Sequence, residues 1–267
     1  MHSNLLTAEA IRAVLTTSRI GSAIYCYNEI GSTNNEAKRL ASDGCPDGTI
    51  VIAEMQHGGR GRLSRTFLSP AGKGLWFTLV LRPDIAPTEA SKCTLLAALA
   101  VAKAIRRTGV DCGIKWPNDI LVNGKKLVGI LTEMSADMDG VNYIVCGIGI
   151  NVNIRRDEFP DDIKDIATSI EAELGRPFDR LALLSAVCEE TERAYEQMLQ
   201  EGFAPILDEW KKYSVTLGQA VRVIAPDETY EGRAVDIDED GSLLVATETE
   251  IKTVLAGDVS IRPRDNS

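Results

Sequence analysis

Histidine is scarce in this sequence: the 267 residues include two, His2 and His57. The six cysteines are scattered, without a C-x-x-C pair or a histidine-rich partner segment. These absences argue against a zinc site, a disulfide framework and histidine-dependent hydrolysis. No apolar run approaches the roughly 18 residues of a membrane span. The N-terminal segment contains Glu9 and Arg12 in an amphipathic pattern, unlike a signal peptide. The sequence therefore predicts a cytoplasmic protein.

Basic residues are also in the minority, since the formal net charge is -10. An acidic excess argues against nucleic-acid binding, which needs an extended basic surface. No Asp or Glu occurs between Glu54 and Asp84, and this interval contains a glycine-rich loop at 58–65 with three arginines. A basic, acid-free loop inside an acidic protein indicates a site for a small polyanion. A mobile solvated loop is the alternative.

Hydrophobic periodicity predicts an α+β fold, in which helices pack against a central mixed or antiparallel sheet. The predicted domains are 1–215 and a small β-barrel-like module at 216–267, with five basic and eleven acidic residues in the module. The helices are expected at 5–16, 33–42, 87–108, 162–174, 179–200 and 203–212. The strands are expected at 23–29, 49–56, 75–81, 120–122, 125–133, 141–153, 220–224, 230–237, 242–246 and 251–255.

Two local patterns indicate a ligand site. Thr33 and Glu36 have the spacing of a capping box, so the first turn of that helix is a potential polar-ligand site. In the strand at 141–153, Gly147, Gly149 and Asn151 share the face opposite the apolar residues. Glycine in a strand usually marks a close approach to the backbone. A flat ligand ring fits there, and close packing of another protein element is the alternative.

The cations favour chemistry on phosphate oxygens. A Walker A loop is excluded because Gly72-Lys73 is followed by Gly74. Paired-carboxylate hydrolysis has no distinctive local signal. What remains is a set of cations that can stabilise charge without a protein nucleophile, as in nucleotidyl transfer to a carboxylate. These cations are Arg60, Arg62, Arg65, Lys115 and Lys126.

The order of motifs resembles the biotin protein ligase family over about residues 20–263. The motifs are Ser32-Thr33-Asn34, Gln56, Gly59-Arg60-Gly61-Arg62 with Arg65 and Ser69-Pro70, Lys115-Trp116-Pro117-Asn118-Asp119, Lys125-Lys126-Leu127-Val128-Gly129-Ile130-Leu131 and Gly147-Ile148-Gly149-Ile150-Asn151-Val152-Asn153. The resemblance implies a class II synthetase-like catalytic domain of the biotin/lipoate ligase type and an SH3-like C-terminal barrel.

The resemblance also implies a reaction. Biotin and Mg-ATP would give biotinyl-5′-AMP, and a carrier lysine would then attack this mixed anhydride. The carrier expected is the biotin carboxyl carrier domain of an acyl-CoA carboxylase. A lipoate or octanoate ligase and a non-catalytic biotin sensor are alternatives; the motifs favour biotin, and Lys126 argues against a sensor. Pairing of two copies is implied. Too few residues precede the first strand for a DNA-binding domain, so repression is not expected.

Site roles follow from the resemblance. Lys126 and Arg62 would be catalytic. The biotin-binding set would be Ser32, Thr33, Asn34, Gln56, Gly59, Arg60, Gly61, Arg62, Lys126, Gly129 and Gly147. The ATP-binding set would be Arg60, Arg62, Arg65, Lys115, Asn118, Asp119, Lys126 and Asn151. Mg²⁺ would arrive with ATP and would not be fixed by the protein alone, with Asp119 as a candidate contact. Ser64 and Phe67 depart from the family's Gly and Trp, which affects the expected behaviour of the loop.

Overall fold

The computed structural model describes residues 5–63, 65–138, 140–225, 228–255 and 260–263. The helices are α1 (Ala8–Val14), α2 (Thr33–Ser42), α3 (Ala90–Arg106), α4 (Ile170–Leu174), α5 (Arg180–Glu201) and α6 (Ala204–Tyr213). The strands are β1 (Ile24–Ile30), β2 (Thr49–Gln56), β3 (Gly74–Leu81), β4 (Gly113–Lys115), β5 (Asp119–Val122), β6 (Lys125–Asp137), β7 (Gly140–Asn151), β8 (Ala220–Ile224), β9 (Thr229–Ile237), β10 (Leu243–Ala246), β11 (Ile251–Val254) and β12 (Ser260–Pro263).

The central sheet has seven strands in the order β1-β2-β3-β7-β6-β5-β4. Strands β1 and β2 are parallel, and the remaining neighbours are antiparallel. The sheet is therefore mixed and packs with helices, which confirms the predicted α+β class. The basic loop connects β2 to β3, as predicted, so both of its ends are fixed in the middle of the sheet.

The two faces of this sheet have different partners because successive side chains point to opposite sides. Ile52, Phe77 and Ile148 lie in the large core with residues of α3 and α5. Val51 and Val145 lie in a smaller cluster on the opposite face with residues of α2. The N-terminus of α2 thus lies on the face that carries Gly147, which brings the two local patterns of the sequence together.

The C-terminal module is a five-stranded antiparallel sheet in the order β11-β10-β9-β8-β12. The sequence predicted its first four strands and missed β12. Trp116 joins the module to the central sheet region: its indole N–H donates to the Gly241 carbonyl at 3.1 Å. The Trp116 backbone N–H donates to the Thr216 hydroxyl at 2.9 Å.

The prediction of a helix over 162–174 is wrong for most of that segment. Turns occupy residues 161–166, and α4 covers Ile170–Leu174, with its N-terminus capped by the side chain of Ser169. The Lys126 backbone N–H donates to the Ile166 carbonyl at 2.7 Å, and the Thr168 N–H donates to the Lys126 carbonyl at 2.9 Å. These bonds tie the segment to the start of β6, so its backbone groups are satisfied by a neighbouring strand rather than by a helix.

Candidate active site

A small cavity lies where the N-terminus of α2 meets the glycine-bearing face of the sheet. It is lined by Ser32, Thr33, Asn34, Gln56, Arg60, Phe67, Phe77, Gly129, Leu131, Gly147, Ile148 and Gly149. Seven of these are residues that the sequence assigned to biotin, drawn from four separate segments of the chain. Three apolar lining residues had no ligand role assigned from the sequence: Phe77, Leu131 and Ile148.

Hydrogen bonds between side chains connect the floor of this cavity. The Thr33 backbone N–H and hydroxyl both donate to Gln56 Oε1, at 2.8 and 3.1 Å. The Thr78 hydroxyl lies 2.9 Å from Thr33 Oγ1 and 2.7 Å from Asn34 Oδ1. Gln56 Nε2 in turn donates to the Ser69 hydroxyl at 3.2 Å. Thr78 was missed in the sequence, although a hydroxyl in a strand whose eight residues are all buried requires a polar partner.

The predicted capping box is wrong. Ser32 is the N-cap of α2 and makes no side-chain capping bond, while Thr33 is the first helical residue. The Thr33 hydroxyl is engaged with Gln56 instead, and the Glu36 carboxylate accepts from the Tyr27 hydroxyl and from the Arg39 guanidinium. Two side chains with the spacing of a capping box are thus used elsewhere: Thr33 in the cavity, and Glu36 in a cluster with Tyr27 and Arg39.

Asn34 lies directly over Gly147, in the centre of the three strands β3, β7 and β6. Its Nδ2 donates to the Leu131 carbonyl and to Glu133 Oε2, each at 3.1 Å. A Cβ atom on Gly147 would lie 2.0 Å from Asn34 Oδ1. The first of the two predicted glycines is therefore required by a side chain of the protein, which places a hydrogen-bonding amide on the cavity floor.

The Phe67 ring lies against the second of these glycines, Gly149. Gly129 and Gly149 face each other across β6 and β7. Added Cβ atoms there would lie 2.9 and 2.6 Å from the Phe67 ring. The sequence left two alternatives for the glycine face, a ligand ring or close packing of another protein element. This conformation shows the second, because the Phe67 ring packs against Gly129 and Gly149. The cavity encloses about 20 Å³, room for about one water molecule. A bicyclic ligand would therefore require the Phe67 ring to move.

Each of the two predicted catalytic cations contacts a polar residue at the start of β5: Lys126 contacts Asp119, and Arg62 contacts the preceding Asn118. Lys126 Nζ lies 2.6 Å from Asp119 Oδ1. Lys126 Nζ also lies 5.7 Å from the centroid of the Phe67 ring. Arg62 Nη1 donates to Asn118 Oδ1 at 3.1 Å, and Asn118 Nδ2 donates to a β6 carbonyl at 2.7 Å. The structure thus brings both cations and both polar partners to the end of the glycine floor.

The loop glycines have steric roles. A Cβ on Gly59 would lie 2.3 Å from the Phe67 carbonyl oxygen, so the loop can close on itself only with glycine there. The Gly61 N–H donates to the Arg65 carbonyl at 2.7 Å, which folds the loop tip. The Arg60 side chain contacts Asn35 and Glu133. Ser64, whose departure from the family pattern was expected to stiffen the loop, lies outside the described residues.

The remaining predicted ATP residues are more dispersed. Lys115 pairs with Asp119 in the β4–β5 ladder. Asn151 is buried, and its Nδ2 donates to the Thr168 carbonyl at 3.0 Å. Arg65 is exposed on the loop. The amide of Asn151 is therefore engaged with the segment that also binds the Lys126 backbone, whereas the sequence assigned it to the nucleotide.

Burial disfavours the reactive thiolate form of several cysteines in the part of the chain that the structure describes. Burial raises the pKa of Cys112 to about 11 and that of Cys146 to about 12, and Cys93 and Cys188 are also fully buried. Among the same residues, no group of three or more His, Cys, Asp and Glu side chains could hold a metal ion. Nor does any described helix have the length and hydropathy to cross a membrane.

Comparison with known proteins identifies the family of the chain. The biotin/lipoate A/B protein ligase family matches residues 27–151, and the biotin protein ligase C-terminal domain matches residues 216–262. The bifunctional ligase/repressor BirA of Bacillus spizizenii is 42% identical over 96% of this chain and 79% of its own length. The biotin–[acetyl-CoA-carboxylase] ligase of Paracoccus denitrificans is 36% identical over 80% of this chain and 90% of its own length.

Solved structures give the same result. The biotin protein ligase of Aquifex aeolicus in complex with biotin and ATP superposes with a TM-score of 0.78 at 31% identity, covering 91% of this chain and all of that one. The fold is thus that of a biotin protein ligase. Given the C-terminal match as well, the chain belongs to the biotin protein ligase family.

Proposed function

We propose that this chain is an ATP-dependent biotin protein ligase, which forms biotinyl-5′-AMP and transfers biotin to a lysine of a carrier protein. The observation that carries the proposal is the position of Lys126 and Arg62 at the end of a glycine-floored cavity with several hydrogen-bonding side chains. A carboxylate that attacks a phosphate brings two anions together. Two fixed cations at that point reduce the repulsion and stabilise the charge that develops.

The chemistry of the cavity favours biotin over lipoate or octanoate. Its lining combines the apolar residues Phe67 and Leu131 with the polar groups of Thr33, Asn34 and Gln56. The ureido ring of biotin carries both donors and an acceptor for such groups, whereas a dithiolane ring or an alkyl chain carries none. A site built to hydrogen-bond its ligand discriminates strongly against an analogue that leaves those groups unpaired.

The site residues take the following roles in this proposal. Thr33, Asn34 and Gln56 hydrogen-bond the ring. Gly129 allows the ring to approach the sheet, and Gly147 contributes to the ring contact by leaving room for Asn34. Lys126 lies between the biotin carboxylate and the α-phosphate. Ser32, Gly59, Arg60, Gly61 and Arg62 complete the biotin contacts; Arg65, Lys115, Asn118 and Asn151 contact the nucleotide together with Arg60, Arg62 and Lys126.

Magnesium fits this site as an ion brought by the nucleotide. Mg²⁺ is usually held by one or two carboxylates together with substrate phosphates. Asp119 offers one carboxylate beside Lys126. The described residues contain no larger acidic cluster that would fix a metal without ATP. When bound, the ion would neutralise phosphate charge, and Asp119 would both orient Lys126 and contact the metal.

The partners of this reaction are biotin, ATP and a biotin carboxyl carrier domain of an acyl-CoA carboxylase. The net charge of -10 argues against a nucleic-acid partner, and the cytoplasm is the proposed location. Pairing of two copies through the central sheet, which the family resemblance implies, is tested by light scattering on the purified chain. A mass of one copy at all concentrations would exclude it.

Pyrophosphate release tests the proposed substrate. The purified chain is incubated with Mg-ATP and equal concentrations of biotin, lipoate or octanoate, and pyrophosphate is followed enzymatically. We expect release with biotin and at least about a hundredfold less with the other two acids, because they leave the polar groups of the cavity unpaired. Comparable release with lipoate or octanoate would favour the alternative ligase. Biotin binding without pyrophosphate release would favour a sensor.

Lys126→Ala tests the catalytic assignment. Loss of the ammonium removes the charge between the two reacting anions, so we expect pyrophosphate release to fall by at least about a hundredfold, as for the loss of a key electrostatic group. Lys125→Ala is the matched control, since its side chain points to the other side of β6. Near-normal release by Lys126→Ala would refute the role of Lys126.

A further inference from the structure

The cations of the loop between β2 and β3 can form ion pairs only with carboxylates elsewhere in the fold, because the loop itself contains no Asp or Glu. No Asp or Glu occurs from residue 55 to residue 83. At one end of the loop, Arg60 Nη2 lies 3.3 Å from Glu133 Oε1 on β6. At the other end, Lys73 Nζ lies 2.7 Å from Glu158 Oε1. Each end is therefore attached to a different part of the catalytic region by an ion pair.

The Arg60 attachment has two fixed acceptors. Its Nη1 donates to Asn35 Oδ1 in α2 at 2.9 Å, while its Nη2 reaches Glu133. A planar guanidinium that contacts two acceptors is held in orientation as well as in position. Because Asn35 and Glu133 belong to α2 and β6, this contact holds the loop across the boundary between two elements of the cavity.

Glu133 has further contacts on the cavity side. Its Oε2 accepts from Asn34 Nδ2 at 3.1 Å, and its Oε1 lies 2.9 Å from Lys38 Nζ. Burial alone raises the pKa of the Glu133 carboxyl. The hydrogen bonds from Lys38 and Asn34 outweigh this effect, with Arg60 nearby, and hold that pKa below its ordinary value of 4.5. Glu133 is thus an ionised acceptor at neutral pH.

We propose that Glu133 is a positioning residue, which holds the Arg60 end of the loop closed over the cavity and orients the Asn34 amide on its floor. One carboxylate then connects the closing element to the group that recognises the ligand ring. Displacement of Asn34 by the biotin ring would therefore weaken the contact between Glu133 and Arg60. Opening of the loop would in the same way weaken the contact between Glu133 and Asn34. The contact between Glu133 and the loop is argued from the structure alone, and this is the structural part of the proposal. Its effect on biotin binding rests on the proposed function.

Tryptic cleavage of the ligand-free protein tests the structural part. Arg62 and Arg65 lie in the loop, and mass spectrometry of early fragments gives the rate of cleavage after each of them. We expect Glu133→Gln and Arg60→Gln each to raise this rate about two- to fivefold, the range that a partly exposed ion pair supports. The double variant should cleave no faster than the faster single variant, because both changes remove the same contact.

Lys38→Met is the matched control, since it removes another cation from Glu133 but leaves the Arg60 contact intact. Its loop should be cleaved at or below the wild-type rate. Equal cleavage in wild type and Glu133→Gln, or multiplying effects in the double variant, would overturn the proposal. If Glu133→Gln does not fold, as judged by circular dichroism, Arg60→Gln decides the matter, because this exposed side chain can be changed without disturbing the core.

Kinetics test the role in ligand recognition. For Glu133→Gln we expect the KM for biotin to rise by at least about fivefold while kcat stays within about twofold, since a freed Asn34 weakens binding rather than chemistry. A fall in kcat at unchanged KM would indicate only a smaller active fraction and would contradict the proposal. Absence of pyrophosphate release in the wild-type protein would instead refute the proposed function and leave the cleavage result standing.

Discussion

Gly147→Ala is the sharpest test of the cavity floor. Gly147 is in register with Thr78 on β3 and with Leu131 on β6. These are also residues that bind Asn34, which accepts from the Thr78 hydroxyl and donates to the Leu131 carbonyl. A methyl group on Gly147 would lie 2.0 Å from Asn34 Oδ1 and 2.8 Å from its Cγ. The amide must therefore leave the position in which its bonds are made.

The expected cost has two parts. Forcing a methyl group into a packed site costs about 1–3 kcal/mol. Loss of the Asn34 hydrogen bonds adds about 0.5–1.5 kcal/mol for each bond that is not replaced. We therefore expect Gly147→Ala to reduce the free energy of unfolding by about 2–4 kcal/mol. At about 2–4 °C per kcal/mol for a chain of this size, the Tm falls by about 5–15 °C.

Two other glycines provide a graded comparison. A Cβ on Gly31, which is exposed, would have no atom within 4 Å. Gly31→Ala should thus change stability by no more than about 0.5 kcal/mol. A Cβ on Gly149 would displace the Phe67 ring, which belongs to the loop and can swing away. Gly149→Ala should therefore cost less stability than Gly147→Ala.

Urea unfolding followed by circular dichroism measures the three variants, and pyrophosphate release measures the KM for biotin. Gly147→Ala should raise this KM by at least about tenfold, equivalent to about 1.4 kcal/mol of lost binding. If Gly147→Ala unfolds at the same urea concentration as Gly31→Ala and keeps a normal KM, Asn34 does not occupy the position described. The proposed ring contact would then be refuted as well.

Two further substitutions test the loop and the core. Arg62→Gly removes the contact with Asn118 and loosens the loop, so more biotinyl-AMP should escape and label bystander lysines; unchanged labelling, measured by streptavidin blotting, would count against closure by the loop. Arg180→Met leaves the buried Glu54 carboxylate without its 2.7 Å ion pair and should destabilise the fold by about 3–5 kcal/mol in urea unfolding. A loss below about 1 kcal/mol would show that water compensates the charge.

The sequence predicted which residues lie together around the cavity better than it predicted the contacts among them. Alternation in β7 correctly separated the apolar face from the glycine face, because strand parity depends only on local geometry. It could not tell that Asn34 and Phe67 would lie against those glycines, since both contacts join residues far apart in the chain. Thr78 was overlooked for a related reason: one hydroxyl in an apolar strand has no periodic signal, although its burial demands a partner.

The wrong helix prediction at 162–174 shows more directly that local sequence patterns do not determine secondary structure where long-range contacts compete. Its composition is compatible with a helix, but residues 166 and 168 bond to the backbone of Lys126 instead. From the sequence, Glu133 was likewise only the last residue of the strand predicted at 125–133, because its cationic partners come from α2 and the loop. Helix propensity is a weak prior that tertiary contacts override. These errors are concentrated around the site, where long-range contacts determine both structure and chemistry.

The predicted boundary between residues 215 and 216 falls between the two sheets, and hydrogen bonds cross it. Trp116 is buried and donates its indole N–H to Gly241 and its backbone N–H to Thr216. The next polar residues, Asn118 and Asp119, hold the two predicted catalytic cations. Removing the C-terminal acceptors would leave both donors of Trp116 unpaired in an apolar environment, which is costly. The C-terminal module therefore supports the segment whose next residues contact Arg62 and Lys126.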